Sequence, residues 1–328
     1  TVHFPIWHQE IQDIIVLKNN KGTEDNRVRK LDYSIQLSKI FYERFITNGE
    51  ITLFSPHDVP GLYESFGTED FDELYVKYEN SDIPMKKVKA QELILDLLKE
   101  RAETGRIYLM NIDHCNSHSS FLDKVEMSNL CQEITLPTKP IQHIDDETGE
   151  IALCILSAVN IGKIRDLSDL EVLCDLSVRS LDELIDFQHY PVKAAELATK
   201  ARRSLGVGYI GLAHYLAKNG VKYEDQRAWE LVHDLTEAFQ YYLVKSTVEL
   251  AKEKGACKYS DRTKYGNGIL PIDTYKHDVD EIVPNKLKFD WEDLRNQVKE
   301  YGVRNSTLSA QMPSESSSVV SNATNGIE

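Results

Sequence analysis

The chain alternates between stretches with apolar residues at helical spacing and short stretches that are apolar almost throughout. Residues 5–17, PIWHQEIQDIIVL, place apolar groups every three or four positions, which predicts a helix with Pro5 in its first turn. The polar run NNKGTEDNR (19–27) predicts a loop, and residues 29–48 again read as helical. ITLFSP (51–56) predicts a short strand that runs into a Pro- and Gly-rich loop. KAQELILDLLKERAETG (89–105) predicts an amphipathic helix stopped by Gly105, followed by a strand in RIYLMNI (106–112). IALCILSAVNI (151–161) is nearly continuous in apolar residues, the pattern of a strand covered on both faces of a parallel sheet. Residues 167–255 read as mostly helical, with LGVGYIG lying between helix-like segments. DWEDLRNQVKEYG predicts another helix, VRNSTLSA (303–310) a strand, and the Ser-rich stretch after Pro313 a last helix. Strands separated by long helical passages predict an α/β fold.

Composition narrows the function classes. The 328 residues are 41% hydrophobic and 28% charged, ordinary for a globular protein with ample core. A net charge of −15 argues against non-specific nucleic-acid binding, which needs a basic surface. No apolar run approaches the roughly twenty residues of a membrane span, so no membrane association is expected. Cys115, Cys131, Cys154, Cys174 and Cys257 are odd in number, widely spaced and without a CxxC pair. That usage speaks against a secreted disulfide framework or a zinc ribbon and for a reducing, cytoplasmic setting. The chain starts at Thr1 directly in a structured pattern and stops at VVSNATNGIE, which reads as the interior of a longer protein.

The segment SNLCQEITLP (128–137) carries the candidate chemistry. Asn129, Cys131 and Glu133 occupy every second position, so in an extended chain an amide, a thiol and a carboxylate face the same way. A lone cysteine is most often a small buried hydrophobe. A carboxylate beside it on one face is costly unless it has a task, and Asn129 adds an amide able to hold hydroxyl groups.

Three further patterns qualify that reading. Cys154 lies in the apolar strand, where inert packing is its commoner use. In MPSESSSVV, Pro313 keeps Met312 extended and Ser314 suits an N-cap. Open backbone N–H groups with Ser316, Ser317 and Ser318 would then suit a phosphate, Glu315 being compatible only if it points away. His114, Cys115 and His118 in NIDHCNSH invite a metal reading, but no second cluster completes a zinc set, and no metal is expected. Gly206, Gly208 and Gly211 match a GxGxxG spacing between helix-like segments rather than after a strand, which disfavours dinucleotide binding.

Taken together, the chain resembles the large catalytic subunit of class I ribonucleotide reductases. The segments that carry the resemblance are HFPIWHQEI, VLKNNKG, LFSPHDVPGLY, RIYLMNIDHCNSH, SNLCQEITLPTKP, ALCILSAVNIG, RRSLGVGYIGLAHYLAKNG and MPSESSSVVSNATNGIE, and they extend over essentially all of it. The resemblance implies a ten-stranded α/β barrel, of which residues 1–328 form a partial catalytic domain with a central finger loop at about 128–137. Cys131 matches the cysteine that becomes a thiyl radical and abstracts the 3′ hydrogen of the substrate ribose. Glu133 matches the carboxylate that takes the 3′-hydroxyl proton, and Asn129 the amide that binds the ribose hydroxyls. Cys154 matches one of two cysteines that reduce the sugar and end as a disulfide. Ser314, Glu315, Ser316, Ser317 and Ser318 match the substrate phosphate site.

The same resemblance implies a ribonucleoside-diphosphate reductase acting in deoxyribonucleotide synthesis, with no cofactor bound directly. Its thiyl radical would come from a metal-containing small subunit, and its disulfide would be re-reduced by thioredoxin or glutaredoxin. A homodimer of large subunits is implied, as are ATP and deoxynucleotide effectors that bind mostly outside this chain. The partner of Cys154, the activity domain and the effector loops are expected before residue 1. The radical-delivering tyrosines and the re-reducing thiols of the tail are expected after residue 328. The alternative is an inactive fragment, or one piece of a split reductase that needs partner chains.

Overall fold

The computed structural model describes residues 1–327, Asn26 by its backbone alone. The chain divides into two compact units: residues 1–119 with 125–135, and residues 120–124 with 136–328. The described residues contain seven strands in three separate sheets and no closed barrel. The fold is therefore α/β, and the expected count of ten strands is not reached.

In the first unit, β1 (Val2–Pro5), β2 (Tyr33–Leu37) and β5 (Ile107–Asn111) form a parallel sheet in the order β1-β2-β5. Tyr33 lies between Val2 and Ile107 in register. This corrects two helical readings. Residues 5–17 contain only a short helix, Ile11–Ile14, after β1. Residues 29–48 contain β2 before the helix Lys39–Ile46. The physical reason is central placement. Every residue of YSIQL is buried, so periodicity could not show which face was inward. Its polar members are satisfied across the unit: Gln36 Nε2 donates to Glu126 O at 2.7 Å, and Ser34 Oγ accepts from Gln132 Nε2 at 2.5 Å. The helix Ala90–Thr104 ends as predicted at Gly105, in the left-handed region at φ 64°, whose N–H donates to Arg101 O. The antiparallel pair β3 (Glu50–Leu53) and β4 (Lys86–Lys89) completes the strands of this unit.

In the second unit, β6 (Ile155–Asn160) and β7 (Leu205–Ile210) pair in parallel, Ile155 opposite Leu205. β7 is the LGVGYI segment, read from sequence as part of a helical passage. Gly206 and Gly208 serve packing here. A Cβ on Gly206 would lie 2.9 Å from Cys154 Sγ, and one on Gly208 would collide with the Ala310 carbonyl oxygen. The predicted strand at 303–310 contributes a single parallel bridge, Ser309 to Val207. The 151–161 run is less buried than its composition suggests. β6 begins only at Ile155, and Leu153 and Leu156 are exposed. The helices Asp169–Phe187 and Gln226–Lys254 pack together over β6 and β7 and enclose the core of this unit. No described helix is long and apolar enough to cross a membrane.

Candidate functional site

Residues 128–135 form a tight loop rather than an extended strand. Ser128 and Thr135 make an antiparallel bridge at its base, and residues 130–131 turn at its tip. Gln132 takes a left-handed backbone at φ 64°, a conformation that costs a non-glycine residue about 1 kcal/mol or more. Side chains supply the compensation. Gln132 Nε2 is anchored to Ser34 on β2, and Asn129 Oδ1 accepts from Ile134 N at 3.2 Å and from Ser128 Oγ at 3.3 Å. Ser128 Oγ also contacts Ile134 O, and His3 Nε2 lies 3.1 Å from Ser128 O. The strict alternation inferred for Asn129, Cys131 and Glu133 is thus broken by the turn.

Thiol and carboxylate both lie near one phenol of β5. Cys131 is exposed, and Glu133 is half-buried with Oε2 shielded from solvent and without a hydrogen-bond partner. Both influence the half-buried phenol of Tyr108 on β5. Its pKa is raised first by burial and then by Cys131, Asp32 and Glu133. The Asn129 amide is engaged within the loop, where its visible role is to hold the turn. Sequence reasoning did not single out Ser128 and Gln132, the residues that fix this geometry. The Ser-Asn pair, a frequent turn former, was the available signal.

Beside the loop lies a cavity of about 360 Å³ lined by Met110, Asn111, His114, Cys115, His118 and Gln132, among others. Burial pushes the Cys115 thiol up to about 11, with Asp113 adding to the effect. The rings of His114 and His118 meet edge to face with centroids 5.7 Å apart. Among the described residues no group of three or more His, Cys, Asp or Glu side chains is placed to hold a metal ion.

The remaining candidates lie in the second unit. Cys154 immediately precedes β6 and is half-buried, its Sγ 3.9 Å from Ile155 O. The helix predicted after Pro313 is present as Glu315–Val320, but its N-terminus differs from expectation. Ser314 makes no side-chain capping bond, and its Oγ is buried without a partner. The N–H groups of Ser314 and Glu315 both donate to Asn325 Oδ1, at 2.9 and 3.0 Å. Ser317 and Ser318 hydroxyls donate to carbonyls of Ser314 and Glu315, each at 2.6 Å. Ser316 is exposed. The carboxamide of Asn325, not a serine, organises this end.

The description "ribonucleotide reductase, barrel domain" matches residues 1–328. The ribonucleoside-diphosphate reductase subunit alpha of Haemophilus influenzae is 59% identical over the whole chain, and subunit alpha of reductase 1 of Escherichia coli is 54% identical. The corresponding subunit of Enterobacteria phage T4 is 46% identical. In each case the chain spans 44% of the relative's length. With the whole sequence matched, this chain belongs to the ribonucleotide reductase barrel-domain family.

Proposed function

We propose that this chain forms the radical-bearing centre of a ribonucleoside-diphosphate reductase large subunit, in which its strands are part of a ten-stranded barrel. The observation that carries the reading is the braced loop. It carries the exposed Cys131 and, two residues on, the half-buried Glu133, whose shielded Oε2 has no hydrogen-bond partner. Such an oxygen is suited to accept a proton from a bound hydroxyl.

In this reading a radical delivered from a metal-containing small subunit converts Cys131 to a thiyl, which takes the 3′ hydrogen of the ribose. Glu133 accepts the 3′-hydroxyl proton, and the 2′ oxygen leaves as water. Cys154 and a second thiol supply two electrons and two protons and end as a disulfide, and Cys131 returns the hydrogen to C3′. Ribonucleotide and dithiol thus become deoxyribonucleotide, disulfide and water. Thioredoxin or glutaredoxin re-reduces the disulfide by thiol exchange. The substrate phosphates lie at residues 314–318, with Ser314 Oγ and the exposed Ser316 as available donors. ATP and deoxynucleotide effectors and a second large subunit complete the assembly.

The test is single-turnover reduction of a ribonucleoside diphosphate by the longer subunit containing this chain, with a radical-generating small subunit and dithiol present. Cys131→Ser abolishes product, because a serine alkoxyl radical is not an accessible substitute for a thiyl. Cys154→Ser prevents formation of the deoxynucleotide while leaving 3′-hydrogen exchange or substrate breakdown detectable. Product formation by the Cys131→Ser protein would overturn the assignment.

A further inference from the structure

The second unit contains a larger cavity, about 630 Å³, whose walls include Tyr209, Trp229, Val232, Tyr275, Val283 and Trp291. A volume of this size suits a small organic molecule. Apart from Asp280, whose carboxylate accepts from Tyr275 Oη, its polar lining lies along one face of the helix Gln226–Lys254. There His233, Glu237 and Gln240, at i, i+4 and i+7, border the cavity together.

Each of the three carries an atom shielded from solvent and lacking a hydrogen-bond partner: His233 Nδ1, Glu237 Oε2 and Gln240 Oε1. Glu237 is decisive because it is only 6% exposed. Its Oε1 accepts from Lys288 N at 2.7 Å and from Phe289 N and Trp291 Nε1, each at 3.2 Å. That bonding orients the carboxylate and leaves Oε2 open. Gln240 is likewise held from its amino end, Nε2 donating to Ser309 Oγ at 2.9 Å. His233 Nδ1 is 3.8 Å from Asp234 Oδ1, too far for a hydrogen bond. A buried carboxylate oxygen without a donor is costly, and a cationic donor offsets that cost better than a neutral one. The aromatic walls favour the same partner, since their faces attract cations.

We propose that this cavity is a binding site for a small organic cation with an apolar body, of the arylalkylammonium class. The ammonium donates to Glu237 Oε2 and Gln240 Oε1, and the aryl group lies among the aromatic walls. The site does not depend on the reductase reading, because none of its residues belongs to the proposed ribose or phosphate machinery.

The probes are 2-phenylethylammonium, its neutral analogue 2-phenylethanol and the anion 3-phenylpropionate, titrated against the full chain. Tryptophan fluorescence is a direct readout, since two of the three tryptophans, Trp229 and Trp291, line the cavity. The expected result is saturable binding of the ammonium about tenfold tighter than the alcohol, the scale of one charge-assisted hydrogen bond, with the anion weakest. Glu237→Gln removes the preference for the ammonium and keeps binding of the alcohol. Thr236→Phe, which fills the cavity without touching the Glu237 bonds, removes binding of both. Should Glu237→Gln fail to fold, the ligand series on the unaltered chain and Thr236→Phe still decide. Equal affinity for ammonium and alcohol, absence of saturable ammonium binding, or binding unaffected by Thr236→Phe would each overturn the site.

Discussion

One loop of the first unit and the core of the second treat the same side chain in opposite ways. In the first, Cys131 stands exposed on a loop held by polar side chains from Ser128, Asn129 and Gln132. In the second, Cys174 is fully buried in the helix Asp169–Phe187, and Cys257 is 5% exposed. Burial pushes the Cys174 thiol up to about 12 and the Cys257 thiol up to about 11. A cysteine positioned by hydrogen bonds can meet a substrate, whereas one positioned by apolar packing is kept protonated and out of reach. The difference separates chemistry from packing without reference to any relative.

The sharpest way to break that contrast is alkylation. At pH 8 a thiol with a pKa near 11 is thiolate in only about one part in a thousand, and one near 12 in about one part in ten thousand. Iodoacetamide labelling of the folded chain, read by peptide mass spectrometry, should modify the exposed Cys131 while the buried Cys174 stays essentially unlabelled. Comparable rates would mean that the loop and the core are not distinct environments.

A second prediction asks whether the loop carboxylate acts or merely accompanies the thiol. In the reconstituted longer subunit, Glu133→Gln should lower the rate of deoxynucleotide formation by roughly 10²–10⁴-fold, the range of a positioned general base. The Michaelis constant should change far less, because the lost interaction belongs to proton transfer. An unchanged rate with weakened substrate binding would reduce Glu133 to a positioning group.

The third prediction concerns the glycines, whose role differs from the one their spacing suggests. Gly208→Ala should destabilise the second unit by about 1–3 kcal/mol, since its Cβ meets the Ala310 carbonyl and the Met312 thioether. Gly220→Ala provides the contrast. No atom lies within 4 Å of its Cβ, and only the left-handed backbone at φ 69° opposes it. Thermal unfolding of the two variants should show the larger loss for Gly208. The reverse order would remove close packing as the reason for glycine in β7.

How much of this was legible follows from the same physics. The helices Ala90–Thr104, Asp169–Phe187, Gln226–Lys254 and Trp291–Tyr301 were readable because each has one buried face, which periodicity reports. β2 was not, because burial on both faces erases alternation. β7 was not, because Gly206 and Gly208 mimic a turn signal while meeting a packing requirement set by Cys154, Leu156 and Ala310, distant in sequence. The candidate triad was legible as residue types. Its conformation was not, because the anchor that bends the chain at Gln132 is Ser34, ninety-eight positions earlier. Glu237 and its neighbours on the helix gave no signal, since a glutamate on a long helix normally faces solvent.

The smallest effect tests the core side of the comparison through pH. The folded pKa of Cys174 lies above the ordinary thiol value of 9.0, at about 12, because burial disfavours the thiolate. A raised folded pKa means that stability is fully present below the unfolded value. It is lost as pH rises from about 9 toward 12, because the unfolded chain releases a proton that the folded chain retains. At pH 10, one unit above the unfolded value, that loss is about 1.4 kcal/mol. Cys174→Ala costs stability at neutral pH through the cavity it leaves, yet it removes this titration. Denaturant unfolding at pH 8 and pH 10 should therefore show a smaller alkaline decrease for the variant than for the parent, by about 1 kcal/mol. Identical decreases for the parent and Cys174→Ala would show that the sealed thiol does not hold its proton as the core demands.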